Sequence, residues 1–155
     1  MSDFQEAIKL TLVREGGYVN DPNDAGGETN MGISKREYPN LDIKNLTEAQ
    51  AVEIYREGYW KSFYSQITDQ NLANKIFDLG VLFGVGTTVK VLQIVLGLTS
   101  DGAFGPTSLE KLNSVDAVSC LAAFKSGMVT HCLEVVKSNP NDRRYFAGWV
   151  RRINS

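Results

Sequence analysis

Glu15 stands directly before Gly16-Gly17, and the stretch 15–33 then supplies Tyr18, Asp21, Asp24, Glu28, Thr29 and the pair Gly32-Ile33. Carboxylates between glycines in one short stretch suit acid–base chemistry on a polymer. Glycines let backbone approach a ligand closely, and loops rich in them carry sites more often than they merely connect. Glycoside hydrolysis needs a protonated acid at the leaving oxygen and a second group that stabilises or captures an oxocarbenium-like centre. A carboxyl at the C-terminal end of a helix and partly enclosed by loop is favoured in its protonated form by desolvation and by the helix dipole. Glu15 fits that acid. Asp24 or Glu28 fits the second carboxylate, and Thr29 could orient a water. A solvated acidic loop would show the same composition, so spacing leaves both readings open.

Other chemistries fail on their own terms. Asp21-Pro-Asn23-Asp-Ala25-Gly26 begins like a calcium loop, but Ala25 and Gly32 occupy ligand positions five and twelve. Gly84-Val-Gly86 has Val89 where a third phosphate-loop glycine belongs, and it follows helical rather than strand patterning. His131 and Cys132 are neighbours whose side chains diverge on a helix by about 100°, so they make a poor nucleophile–base dyad. One histidine and two remote cysteines argue against zinc. No metal or organic cofactor is implied.

The elements that must position Glu15 read as helices. Phe4, Ala7, Ile8, Leu12 and Val13 lie near one stripe over 3–15. Residues 16–46 are irregular, with room for a small β element. Thr47-Glu48-Ala49-Gln50 is a capping box opening a helix to about residue 63. Further helices are expected over 71–83, from Thr87 or Thr88 to Gly97, and from Gly105-Pro106 to near Asn113. Another runs over 115–138 with Ser114 as cap and Val118, Leu121, Ala122, Cys132, Val135 and Val136 available to a core. The last starts at Asn139-Pro140 and offers Tyr145, Phe146, Trp149 and Ile153 for burial. The fold class is mainly α. Cys120 and Cys132, 12 residues apart in one helix, would sit roughly 18 Å apart, too far for a disulfide.

Charge is uneven. Residues 1–60 hold 6 basic and 11 acidic side chains, net −5, and residues 61–155 hold 10 and 7, net +3. That excess is too small to indicate nucleic acid. The apolar region 76–98 is broken by Asp78, Lys90 and Gln93, so no membrane span is expected. The first residues show no basic segment followed by an apolar run, so no Sec-type signal is visible.

The motif Glu15-Gly-Gly-Tyr18, followed by Asn20-Asp21-Pro22, Asp24, Gly26-Gly27, Thr29-Asn30 and Gly32-Ile33, closely resembles glycoside hydrolase family 108. That family comprises N-acetylmuramidases of bacteria and phages, some first labelled secretion activators. Tyr59-Trp60 and Phe77-Asp78 continue the likeness. Leu92-Gln93, Leu96-Gly97, Asp101-Gly102, Gly105-Pro106 and Gly148-Trp149 with Arg152 resemble the peptidoglycan-binding region that accompanies these enzymes. The departures are Leu82, four residues after Asp78 where Asn is expected, and Met31, where relatives often carry an aromatic or polar residue.

The resemblance implies a lysozyme-like helical fold, with a catalytic lobe over 1–88 and a peptidoglycan-binding region over 89–155 packed as one unit. It implies hydrolysis of the β-1,4 bond between N-acetylmuramic acid and N-acetylglucosamine. Glu15 would be the general acid, with Asp24 and Thr29 in supporting roles. Tyr18, Glu28, Asn30, Tyr59 and Trp60 would be sugar contacts. Peptidoglycan strands would be the partner, met in the periplasm or outside the cell after export or holin release. Two alternatives stand beside it: a non-catalytic wall-binding or secretion-associated protein, and a lytic transglycosylase.

Overall fold

Asp3 opens the first helix by accepting a hydrogen bond from the Gln5 N–H at 2.7 Å, and Gly16, with φ of 74°, ends it. This helix, α1 (Phe4–Glu15), buries Phe4, Ala7, Ile8 and Thr11, the i, i+3, i+4, i+7 spacing of one face. Val13, expected on that stripe, is instead 85% exposed. The computed structural model describes residues 1–21 and 27–155.

The expected β element is present as three short strands, β1 (Val19–Asn20), β2 (Glu28–Asn30) and β3 (Ile33–Ser34), antiparallel in that order. Thr29 is opposite Val19 on one side and Ser34 on the other. Met31 and Gly32 join β2 to β3, and both have positive φ, 49° and 77°. That is the pattern of a type I′ hairpin turn, whose twist matches the strands it joins. Ile33 and Asn30 are the buried residues of this sheet, and Asn30 donates through Nδ2 to the Ile43 carbonyl at 3.0 Å. The sheet is pinned to the body by few contacts.

The capping box forms as expected: Thr47 and Gln50 exchange side-chain-to-backbone bonds at the start of α2 (Glu48–Gly58). This helix ends at Gly58 rather than near residue 63. The N–H groups of Tyr59 and Trp60 both turn onto the Tyr55 carbonyl, and the chain enters a 3-10 turn at Tyr64–Gln66. The turn lets Phe63 stack on both Tyr64 (4.3 Å between centroids) and Phe104 (4.1 Å).

Helix α3 (Gln70–Phe83), capped by Asp69, is buried along most of its length, from Leu72 to Gly80. A helix buried over most of its length lies at the centre of its domain. It runs in the same direction as α1: the Asp3 N–H meets Gln70 at one end, and Thr11 meets Asp78 further along. The sheet and α2 are therefore the crossover between two parallel helices.

Gly84 turns the chain into α4 (Val85–Val95), which begins ahead of Thr87 and is tied back by Thr88 Oγ1 donating to the Leu79 carbonyl. Helices α5 (Pro106–Ser114), α6 (Ala117–Ser138) and α7 (Arg143–Asn154) complete the chain. Asp116, not Ser114, caps α6, because Ser114 spends its hydroxyl on the Lys111 carbonyl. The buried stripe of α6 is Cys120, Phe124, Met128 and Cys132 at four-residue spacing, which turns Val118 (79% exposed) and Ala122 to solvent. On α7 Ile153 is buried, while Tyr145 is largely exposed. Both cysteines are free and buried, and burial raises both thiols, Cys132 to about 11. One continuous core joins Phe4 of α1 to Ile153 of α7. Among the described residues, no helix is long and apolar enough to cross a membrane.

Candidate active site

Glu15 is the last residue of α1, and its side chain is 17% exposed. One carboxylate oxygen, Oε1, lies 2.5 Å from Arg152 Nη2 on α7. The other side of the carboxylate rests against Gly32. A Cβ built on Gly32 would clash with Glu15 Oε2, with its Cδ and with the Tyr55 hydroxyl. Gly32 is thus required twice, by its φ and by this close approach. Tyr55, buried on α2, donates to the Met31 carbonyl at 2.8 Å and so fixes the hairpin turn against Glu15. Burial and the nearby Glu15 charge push the Tyr55 phenol far above its usual range, so it stays a neutral donor.

Behind Glu15 is a buried charge cluster. Asp78, fully buried in α3, takes Arg152 on Oδ1 through Nη2 (3.0 Å) and Nε (3.3 Å), and Thr11 donates to the same oxygen at 3.3 Å. Its Oδ2 accepts no hydrogen bond, yet Arg14 Nη1 lies 3.4 Å away and Lys75 Nζ 3.8 Å. Coulomb attraction holds that oxygen where hydrogen-bond geometry does not. Lys75 also donates to the Arg152 and Ser155 carbonyls, each at 3.0 Å, tying the end of α7 to α3. Burial lowers the Lys75 ammonium to about 8 against the opposing pull of Asp78. Burial works against the Arg152 charge as well, but Asp78 and Glu15 outweigh it and raise its pKa. A buried carboxylate without such partners would be strongly destabilising.

The structure sorts the sequence candidates. Asp24 lies outside the described residues. Thr29 sits at the middle of β2, part-buried, with its hydroxyl only 3.5 Å from the Gly27 carbonyl. Tyr18 is exposed and donates to Glu28 Oε1 at 2.8 Å across β1 and β2, a bond that raises its phenol. Asn30 turns inward to Ile43. Tyr59 is half-buried with its ring 5.6 Å from Tyr55, and Glu15 is among the charges that raise it after burial. Tyr55 thus stands between Tyr59 and the Gly32 turn that Glu15 rests on.

Trp60 goes elsewhere. It packs edge-on against Phe4 (5.2 Å) and Phe77 (5.4 Å), stacks on Tyr64, and bonds Ser65. Phe4 is at the opposite end of α1 from Glu15, about 16 Å along the helix, so Trp60 belongs to the core there.

Sequence reasoning missed Arg152 and Asp78 as site-building residues. A signal existed for Asp78: an acid in the apolar run 76–83 of a buried helix demands a cationic partner. Nothing in the spacing named that partner as Arg152. Among the described residues, no group of three or more His, Cys, Asp or Glu side chains could hold a metal ion.

Comparison with known proteins gives two family matches that meet end to end. Residues 8–84 match the family model described as glycosyl hydrolase 108, and residues 87–154 match the predicted peptidoglycan domain. Residues 8–84 are a glycosyl hydrolase 108 segment. Among solved structures it is similar to Brucella abortus SagA, with a TM-score of 0.80 and 27% identity over 97% of this chain and 89% of that one. No curated protein matches.

The fold is lysozyme-like and mainly α, and a peptidoglycan-acting hydrolase is the activity class that the two matches support. Glu15, Gly32, Tyr55 and Asp78 fall in the first match and Arg152 in the second. The ion pair on Glu15 therefore joins the two matched segments.

Proposed function

We propose that this chain is an N-acetylmuramidase that hydrolyses the β-1,4 bond between N-acetylmuramic acid and N-acetylglucosamine, with Glu15 as general acid. One observation carries the reading. Glu15 is a partly exposed carboxyl at a helix C-terminus, held in place by Arg152 on one side and by Gly32 and Tyr55 on the other. Such a group can reach a glycosidic oxygen without the freedom to turn away, and orientation is a large part of catalysis.

The step is proton transfer from Glu15 to the leaving oxygen as the C1–O bond breaks. Positive charge then develops on the muramyl ring, and a water adds its oxygen to C1 and gives its proton to a carboxylate of the site, Asp24 or the deprotonated Glu15. Asp24 stabilises that charge or positions the water, and Thr29 assists. A glycan lying over the sheet would meet Tyr18, Glu28 and Tyr59. Residues 1–88 form the catalytic lobe and 89–155 the peptidoglycan-binding region, and the wall is met after export or holin release.

A second reading, a non-catalytic wall binder that keeps the fold, draws support from the same ion pair. Arg152 neutralises Glu15 as a structural partner would. Digestion of purified peptidoglycan with products resolved by mass separates the readings. Reducing muramyl ends support the muramidase. Anhydro-muramyl ends would make it a lytic transglycosylase. Folded protein that sediments with the wall and releases nothing would make it the binder.

A further inference from the structure

A hollow of about 300 Å³ opens beside the Glu15–Arg152 pair, lined by Arg14, Gly148, Arg151, Arg152 and Ser155. Three of its five lining residues are arginines, two from α7 and one from α1. Arg14 and Arg152 are committed to Asp78 and Glu15. Arg151 is exposed and makes no ion pair among the described residues. A second hollow of about 160 Å³ shares Arg14 and Ser155 with the first and adds Lys75 and Lys125. The two hollows are lined by Arg14, Lys75, Lys125, Arg151 and Arg152 and by no acidic side chain, and among the described residues only Asp78 and Glu15 pair with these cations, so the basin is basic.

Gly148 is the second clue. It lies inside α7, where glycine costs stability relative to alanine. Its φ is not left-handed, and a Cβ there would meet nothing within 4 Å. Neither backbone nor packing explains a glycine at this position. Its lack of a side chain leaves that wall of the hollow open.

We infer that this hollow binds a carboxylate of the peptide stem carried by N-acetylmuramic acid, so that the enzyme selects peptide-bearing glycan. The inference rests on the muramidase reading for the identity of the polymer. The chemistry is that of guanidinium groups, which present paired N–H donors matched to a carboxylate. The position also fits. Arg152 touches Glu15 and lines the hollow, so the hollow begins one side chain from the acid. The stem peptide is carried at C3 of the same ring whose C1–O bond is cut. Arg151 is the free fork, and Arg14 and Arg152 supply field from fixed positions.

The test is calorimetric titration of a synthetic stem tripeptide with free carboxylates, its all-amide form, and inorganic phosphate. Each is titrated into wild type, Arg151→Gln and Gly148→Leu. The free acid should bind wild type at least ~10-fold more tightly than the amide, and Arg151→Gln should lose ~5-fold or more of that affinity. Gly148→Leu should remain folded, with an unchanged or higher Tm, and lose the peptide. Equal binding of acid and amide, or wild-type affinity in both variants, would overturn the proposal. So would phosphate binding as tightly as the peptide, which would reassign the hollow to a phosphate polymer. These readings need no turnover. Absent cleavage of every glycan would sink the muramidase reading while leaving the carboxylate site measurable.

Discussion

On one side of Glu15 the chain is a three-stranded sheet of two- and three-residue strands. On the other, α1, α3 and α7 close around the buried Asp78. The sheet side offers exposed polar groups, Tyr18 and Glu28, held by one another and by a tight turn. The helical side offers groups that are nearly all buried and all tied to Asp78, with Lys75 and Arg152 holding further partners as well. The comparison separates two tasks. Groups that would touch a sugar sit on backbone with little packing of its own, which can adapt to a polymer. Groups that aim Glu15 sit against the buried face of α3, where displacement is costly.

If that division is right, substitutions on the two sides should fail differently. Asp78→Asn keeps the size of the side chain but leaves Arg14, Lys75 and Arg152 without their shared counter-charge. We expect a loss of about 3–5 kcal/mol in unfolding free energy, measured by urea denaturation. A value under 1 kcal/mol would show that the cluster does not hold the helical side together.

Gly32→Ala is the matching change on the sheet side. It forces alanine into positive φ and drives a methyl into Glu15 and Tyr55. The expected cost is about 1–3 kcal/mol, with a larger fractional loss of wall-digesting activity than of stability. Activity that tracks the folded fraction alone would merge the two sides into one.

The Lys75 prediction sharpens the helical side through pH. Its folded pKa of about 8 is below the roughly 10.4 of an unfolded lysine. Between those values the unfolded chain binds more protons, so this group's contribution to stability rises with pH across that window and is flat below it. The stability gap between wild type and Lys75→Gln should shift in favour of wild type by on the order of 1–2 kcal/mol from pH 7.5 to pH 10. No change in the gap would mean that Lys75 is solvated.

Thr47→Ala is the smallest effect. Loss of the capping box should cost about 1 kcal/mol and leave wall digestion per folded molecule unchanged, because α2 reaches the site through Tyr55, two turns on.

Much of this was legible in the chain, and unevenly so. Local signals held: α1 ended at the glycine pair, the capping box started α2, and the positive-φ turn at Met31-Gly32 fell within the stretch that the glycines marked. Boundaries slipped where tertiary packing decided them. Helix α2 stopped at Gly58 so that Trp60, Phe63 and Tyr64 could join the aromatic core. On α6 the buried face was chosen by α4 and α7, not by hydrophobicity, which left Val118 outside. Glu15 was visible as a candidate because its chemistry and its helix end are adjacent in sequence. Its partner Arg152 was not, since the pairing depends on α7 folding back across the end of α1. Trp60 shows the converse: an aromatic at a plausible spacing whose ring the core claimed. Asp24 falls at 22–26, outside the described residues, so its part in the site rests on the family resemblance.

The account stands on Glu15, and the measurement that tests it most directly is peptidoglycan digestion by wild type and by a folded Glu15→Gln variant. The amide keeps the size of the side chain and its contact with Gly32, but it cannot deliver a proton. The account predicts that reducing muramyl ends appear with wild type and fall by roughly 100-fold or more in the variant, while wall sedimentation is retained. Equal release by the two proteins would contradict it.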